Sequence, residues 1–220
     1  MSKPFADRYE AGRVLAEKLS NYAERSDVVV LGLPRGGVPV AFEIARALGA
    51  PLDVFLVRKL GVPGHQELAM GAIASGGAVV LNDEAIEALG ITPEEIDEAI
   101  ERECRELERR ERIYRRDRAA VDVADKIVIV ADDGLATGST MRAAVAALRT
   151  QKPAAIVVAA PTAALETCEA MGAVADECVC AITPTPFRAV GLWYENFEQT
   201  TDDEACALLK RAAEAAEGPA

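Results

Sequence analysis

Two adjacent acids, Asp132 and Asp133, end a run of β-branched residues and open a turn made almost wholly of small side chains, Gly134-Leu135-Ala136-Thr137-Gly138-Ser139-Thr140. Gly134, Gly138 and the small residues between them let the backbone curl until successive N–H groups converge. Thr137, Ser139 and Thr140 add hydroxyl donors. The pattern that follows predicts a helix from about 139 to 150, whose unsatisfied N-terminal N–H groups face the same turn. Such a turn suits a phosphate monoester, each charge-assisted hydrogen bond contributing on the order of 1.5–3 kcal/mol. The acids would repel a phosphate laid on them. One group away they make chemical sense, accepting hydrogen bonds from vicinal sugar hydroxyls, because ionised carboxylates are acceptors only.

Other motifs explain the stretch less well. An ordinary tight turn accounts for Asp-Asp-Gly and for a hydroxyl capping the helix, but leaves both acids without a task. A nucleoside-triphosphate P-loop needs lysine after its last glycine, where this chain has Ser139. The dinucleotide fingerprint has a different glycine spacing, and here the acids precede the turn.

The elements that must position this turn are legible from apolar patterning. Ala11, Val14, Leu15, Leu19 and Tyr22 share one side of a helix within 7–24. The short apolar run 28–33 suits a strand buried on both faces, as in parallel sheets. A helix follows over 38–49, striped by Val40, Ile44 and Leu48 and stopped by Gly49. Further strands are expected at 52–57, 78–82, 125–131, 154–160 and 177–183, with a helix around 162–171. That alternation predicts βαβ units and a parallel sheet flanked by helices, an α/β fold. One segment breaks the rhythm. Over 92–118, Thr92 can cap and Pro93 open a long helix with acids first and arginines last. Its stripe of Ile96, Ile100, Leu107 and Tyr114 is narrow, so most of it should be solvated.

The stretch from Asp132 to Thr140 closely resembles the phosphoribosyl-pyrophosphate (PRPP) motif of type I phosphoribosyltransferases, and the strands around it resemble that family's core over roughly 25–185. The resemblance implies a Rossmann-like parallel-sheet core within a single domain spanning 1–220, carrying the inserted helix and a C-terminal hood at about 184–216. It implies that Asp132 and Asp133 bind the ribose diol, and that Leu135, Ala136, Thr137, Gly138, Ser139 and Thr140 bind the 5-phosphate. In Leu33-Pro34-Arg35-Gly36-Gly37, the family's pyrophosphate loop, Arg35 would reach the pyrophosphate while Gly36 and Gly37 offer backbone N–H groups; a cis non-proline peptide is common there. Arg58 or Lys59 would also contact the pyrophosphate. A mobile loop containing Gly61, Pro63, Gly64 and His65 would close over the reacting centre, with His65 a candidate acid or base. Phe187, Trp193 and Tyr194 are candidates to stack on the acceptor. Mg²⁺ would be the cofactor, held mainly by substrate oxygens and water rather than by protein side chains. The expected partners are PRPP and a small-molecule acceptor, and the expected assembly is a homodimer.

The activity so implied is Mg²⁺-dependent transfer of ribose 5-phosphate from PRPP to a nitrogen nucleophile, such as a nucleobase, with release of pyrophosphate. Two other functions fit the same residues. One is a regulator that senses PRPP or a nucleotide without catalysis; the other is a different phosphate-handling enzyme, disfavoured by the missing P-loop lysine. Composition narrows the field further. The 220-residue chain is half apolar, enough for a sizeable core, and carries a net charge of −12. That charge argues against nucleic acid or an anionic membrane as partner, and acids interleave with the arginines at 109, 110, 112, 115, 116 and 118. No apolar run approaches the ~18 residues of a membrane span, and the N-terminus lacks a signal-peptide pattern. With one histidine and five cysteines lacking Cys-x-x-Cys spacing, no zinc site is expected. Cys178 and Cys180 read as small buried hydrophobes in a reduced, cytoplasmic protein.

Overall fold

The computed structural model describes residues 4–63, 65–116 and 118–217, apart from the side chains of 65–67 and 217. In chain order its elements are α1 (Arg8–Lys18), β1 (Val28–Gly32), α2 (Gly37–Leu48), β2 (Leu52–Val54), β3 (Val57–Val62), β4 (His65–Ala74), β5 (Ala78–Leu81), α3 (Asp83–Leu89) and α4 (Pro93–Arg115). They continue as β6 (Ile127–Ala131), α5 (Ser139–Thr150), β7 (Ala155–Thr162), α6 (Leu165–Gly172), β8 (Glu177–Ile182) and α7 (Asp202–Glu217). The central sheet has five strands, all parallel, in the order β2-β1-β6-β7-β8.

Continuous apolar runs form these strands because both faces are covered. Val28 and Val30 of β1 pack with Leu15 of α1 and Ile44 and Leu48 of α2. Val29 and Leu31 point the other way, into a second core holding Met141 and Leu148 of α5 and Met171 of α6. β6 divides likewise, Ile129 on one face and Val128 and Val130 on the other. Each fully buried aliphatic side chain contributes roughly 1.5–3 kcal/mol. The caps are local: the Asp7 carboxylate accepts from the Glu10 N–H at 2.8 Å to start α1, and Gly49 ends α2 at φ 66°.

The chain departs from the expected parallel order after β2. The anticipated 52–57 strand divides into β2 and β3, and β3-β4-β5 form a separate antiparallel sheet. The 78–82 strand therefore does not join the parallel sheet. Only residues 75–77 connect β4 to β5, whereas a parallel crossover needs a dozen or more, and Gly76 and Gly77, at φ 83° and 76°, reverse the chain. The expected loop after Arg58 is thus largely a hairpin. Gly64 and the His65 side chain lie outside the described residues.

The long helix starts as anticipated, with a reciprocal capping box between Thr92 and Glu95. It buries Ala99, Leu107 and Tyr114. The C-terminal segment contributes more than a hood: α7 buries Ala205, Leu208 and Leu209 in the core shared with α2 and α4. Residues 218–220 lie outside the described residues. Among the described residues no helix is long and apolar enough to cross a membrane. The cysteines also differ from expectation. Cys168 and Cys180 pair as a disulfide, because α6 packs on β8 and brings the side chains together. Cys178 is only partly buried.

Candidate functional site

β1 and β6 are hydrogen-bonded neighbours running the same way, so the turns leaving their carboxyl ends emerge side by side, where open α/β sheets place ligands. The Leu33 N–H donates to the Ala131 carbonyl at 2.9 Å, tying one turn to the other. The glycines here are required by proximity. A Cβ on Gly37 would lie 2.5 Å from the Ala131 oxygen, and one on Gly36 would lie 2.0 Å from Asp133 Oδ2. The Pro34–Arg35 peptide is cis. One expectation needs correcting: the Gly37 N–H is committed to the Leu33 carbonyl at 3.0 Å, which leaves Gly36 as the glycine able to offer an N–H to a ligand.

The second turn forms an anion cup. Gly138, at φ 70°, is the residue from which α5 springs, and no side chain caps that helix. Among the described residues, the N–H groups of Ala136, Thr137, Gly138, Thr140 and Met141 find no acceptor in the protein. Leu135 departs from its expected role. Its side chain is buried and its N–H donates to the Thr162 carbonyl at 2.9 Å, so it anchors the turn instead of facing a ligand. The cavity holds about 180 Å³ and is lined by Asp132, residues 134–141 and Val190. Two residues unnoticed in the sequence brace it: Thr167 of α6 donates its hydroxyl to the Ala136 carbonyl at 2.7 Å, and Arg142 donates to the Thr137 carbonyl at 3.1 Å.

The two acids differ. Asp132 Oδ1 accepts the Asp133 N–H at 2.8 Å. Burial, reinforced by the adjacent Asp133 carboxylate, pushes Asp132 well above the usual carboxylate range. Burial also raises Asp133, against the opposing pull of Arg8. Arg8 is a third residue that sequence reasoning missed. Its Nε donates to Asp133 Oδ2 at 2.8 Å, its Nη1 donates to the Glu198 carbonyl at 2.6 Å, and its guanidinium lies 4.0 Å from the centre of the Phe197 ring. Asp133 thus has one oxygen committed within the protein, whereas Asp132 Oδ2 accepts no hydrogen bond from the described residues.

The remaining candidates divide. Arg35 lines a second, polar cavity of about 140 Å³ with Arg109, Arg110, Ile113, Tyr114 and Asp202. Arg109 and Arg110 stay exposed on α4, as expected, and their end of the helix flanks the first turn. Arg58 pairs with Glu103 of α4 at 2.6 Å, and Lys59 is exposed on β3. Neither makes a hydrogen bond or ion pair with the two turns among the described residues. Tyr194 is buried between Phe5 and Phe197, and its hydroxyl donates to the Asp133 carbonyl at 2.6 Å. It braces the acids and has no free face for stacking on an acceptor. Phe187 and Trp193 are partly buried.

The whole arrangement can hold a phosphate in the cup, vicinal hydroxyls at Asp132 and Asp133, and a second anionic group near Arg35. Comparison with known proteins identifies the family. The family described as "Phosphoribosyl transferase domain" matches residues 6–195. Two Mycobacterium tuberculosis proteins, from strains CDC 1551 / Oshkosh and ATCC 25618 / H37Rv, each named "putative phosphoribosyl transferase", are 46% identical over 210 residues. These cover 96% of this chain but 47% of each relative, so the chain spans about half their length. A crystal structure of TT1426 from Thermus thermophilus superimposes with a TM-score of 0.85 at 41% identity, covering 96% of this chain and 100% of that one.

Proposed function

Since the chain belongs to the phosphoribosyl transferase domain family, we propose that it transfers ribose 5-phosphate from PRPP to a nitrogen nucleophile, with loss of pyrophosphate. The observation that carries this proposal is the conjunction at one sheet end of an anion cup with unpartnered N–H groups, two carboxylates and the Arg35 turn. The cup would take the 5-phosphate, and Asp132 with the free oxygen of Asp133 would accept from the ribose hydroxyls. Arg35, with Arg109 and Arg110 beside it, would balance charge on the departing pyrophosphate. Catalysis by such a site rests on positioning and on fixed charge aimed at the leaving group. The ring carbon passes through an oxocarbenium-like state, as in glycoside cleavage.

Asp132 and Asp133 offer only hard oxygen donors, which suit Mg²⁺. When bound, the ion would neutralise pyrophosphate charge, carried chiefly by substrate oxygens and water. Phe187 and Trp193, both partly buried, remain candidate contacts for the acceptor. Arg8's hold on Asp133 favours one competing function, a PRPP sensor that binds without turnover.

Calorimetric titration with PRPP, with and without Mg²⁺, tests the binding step. A pyrophosphate-release screen over purines, pyrimidines and small amines then separates enzyme from sensor. Gly138→Val forces a β-branched residue to φ 70° with its Cβ 2.9 Å from Thr167 Cγ2, and should abolish PRPP binding. Wild-type affinity in that variant would remove the assignment of the cup.

A further inference from the structure

A second cluster of reactive side chains lies beyond the acids, on the outer edge of the parallel sheet. Cys178 and Cys180 share one face of β8, two residues apart, and Cys168 reaches them from α6. The Cys178 sulfur lies 3.7 Å from that of Cys168 and 3.9 Å from that of Cys180. All three sulfurs fall within 4.8 Å of one another, with partial exposure at each. Their surroundings are otherwise apolar: Val158 and Ala160 sit opposite on β7, and Met171 and Ala175 belong to the same core.

Two kinds of chemistry could use three sulfurs so placed, and the geometry separates them. For thiol–disulfide exchange, the attacking sulfur must approach along the S–S axis, which puts it much nearer one sulfur than the other. Cys178 instead stands side-on, nearly equidistant from both. A triangle is what a metal needs. Metal–thiolate bonds of about 2.3 Å set sulfur–sulfur separations of roughly 3.8 Å in a tetrahedral site and 4.0 Å in a trigonal one. The two separations made by Cys178 match that range. The third edge is closed by the Cys168–Cys180 bond, whose Cα atoms are 6.7 Å apart, near the upper end of what a disulfide spans, about 6.8 Å. Reduction would let that edge open with little movement of the backbone.

We propose that Cys168, Cys178 and Cys180, when reduced, form a three-thiolate site for one soft monovalent cation, Cu(I), in trigonal coordination. Thiolates select soft ions. Among the described residues no His, Asp, Glu or further Cys joins the three sulfurs, which fits an ion content with three ligands better than Zn²⁺, which takes four. Reduction of the Cys168–Cys180 bond by a dithiol transfers two electrons and two protons and leaves the dithiol oxidised. Binding of Cu(I) then displaces one proton from each of the three thiols, with no further change of oxidation state. The site adjoins the anion cup, since Cys168 follows Thr167, whose hydroxyl holds the Ala136 carbonyl.

The test uses the full chain, reduced with a dithiol and freed of it under anaerobic conditions. Cu(I) is titrated in competition with a chromophoric Cu(I) chelator, and Zn²⁺ is titrated in a parallel arm. The expected result is one Cu(I) per chain with an ultraviolet thiolate-to-copper charge-transfer band. Cys178→Ser and Cys178→Ala should each weaken binding at least 100-fold while keeping the wild-type far-ultraviolet circular dichroism. Cys104→Ser and Cys206→Ser should bind as wild type. Absence of uptake, or uptake indifferent to Cys178, would overturn the proposal. So would Zn²⁺ bound through the same cysteines where Cu(I) is not. Peptide mapping that finds Cys178 exchanging into the disulfide, with no Cu(I) bound, would make the cluster a redox relay and equally refute the metal site.

Discussion

Replacing Arg8 with alanine is the sharpest probe of how the acids are held. The side chain is 10% exposed and its partner Asp133 17%, so the pair is largely shielded from solvent. The substitution removes two hydrogen bonds made by a charged donor, at 2.8 and 2.6 Å, and the contact with the Phe197 ring. Such bonds contribute about 1.5–3 kcal/mol each, and a desolvated cation–ring contact up to about 2 kcal/mol. Those figures do not simply add, because Asp133 can take up a proton once its partner is gone. Breaking a buried pair costs about 3–5 kcal/mol, and protonation limits the cost to the lower end, about 3 kcal/mol at pH 7.5. Burial already raises the Asp133 carboxyl, and loss of Arg8 raises it further. A raised carboxyl binds protons more tightly in the folded state, so stability falls as pH climbs from the unfolded value through the folded one. The penalty in Arg8→Ala should therefore grow between pH 5 and 7.5. Urea unfolding is the assay. With a slope of about 2 kcal/mol/M, the midpoint should drop by about 1.5 M at pH 7.5 and by less at pH 5. Asp133→Asn in the same background should restore part of the loss, with a coupling of about 1–3 kcal/mol. A midpoint within 0.25 M of wild type, an equal loss at both pH values, or strict additivity would refute the reasoning.

Two further outcomes follow from the same geometry. Asp132→Asn keeps the acceptor for the Asp133 N–H but removes a charge whose burial is unfavourable, so the unliganded protein should gain about 1 kcal/mol at pH 7.5. That gain should vanish near pH 4, and PRPP affinity should fall 10-fold or more, by calorimetry in both cases. Tyr194→Phe removes the donor to the Asp133 carbonyl and should cost about 1–2 kcal/mol in thermal unfolding, with a raised KM for PRPP if the acids lose their aim.

What the sequence disclosed depended on how locally each feature is specified. The anion cup was legible because its chemistry belongs to a contiguous stretch in which glycine, hydroxyls and a following helix each have one job. Leu135 misled within that stretch, since nothing in its type says whether its N–H faces inward to Thr162 or outward to a ligand. Arg8 was invisible: it lies 125 residues from Asp133, on a helix whose first turn gives no hint of what it touches. Arg109 and Arg110 are exposed, as a solvated helical face predicts, but a helical pattern shows which face is apolar, not which loop approaches the polar one. The β3-β4-β5 sheet could have been anticipated by counting: three residues between two strands leave room for reversal only. The Cys168–Cys180 pairing could not, because α6 and β8 meet through packing alone.

The adjacency of β1 and β6 also sets a scale. Neighbouring strands stand about 4.8 Å apart, so the two turns are displaced by one strand width, and the protein backbone itself acts as a gauge for whatever bridges them. A bound molecule with two anionic ends would have to separate them by about the breadth of a pentose ring. Compounds whose charges crowd on a single atom, such as free orthophosphate, could occupy one turn at a time and leave the other to solvent.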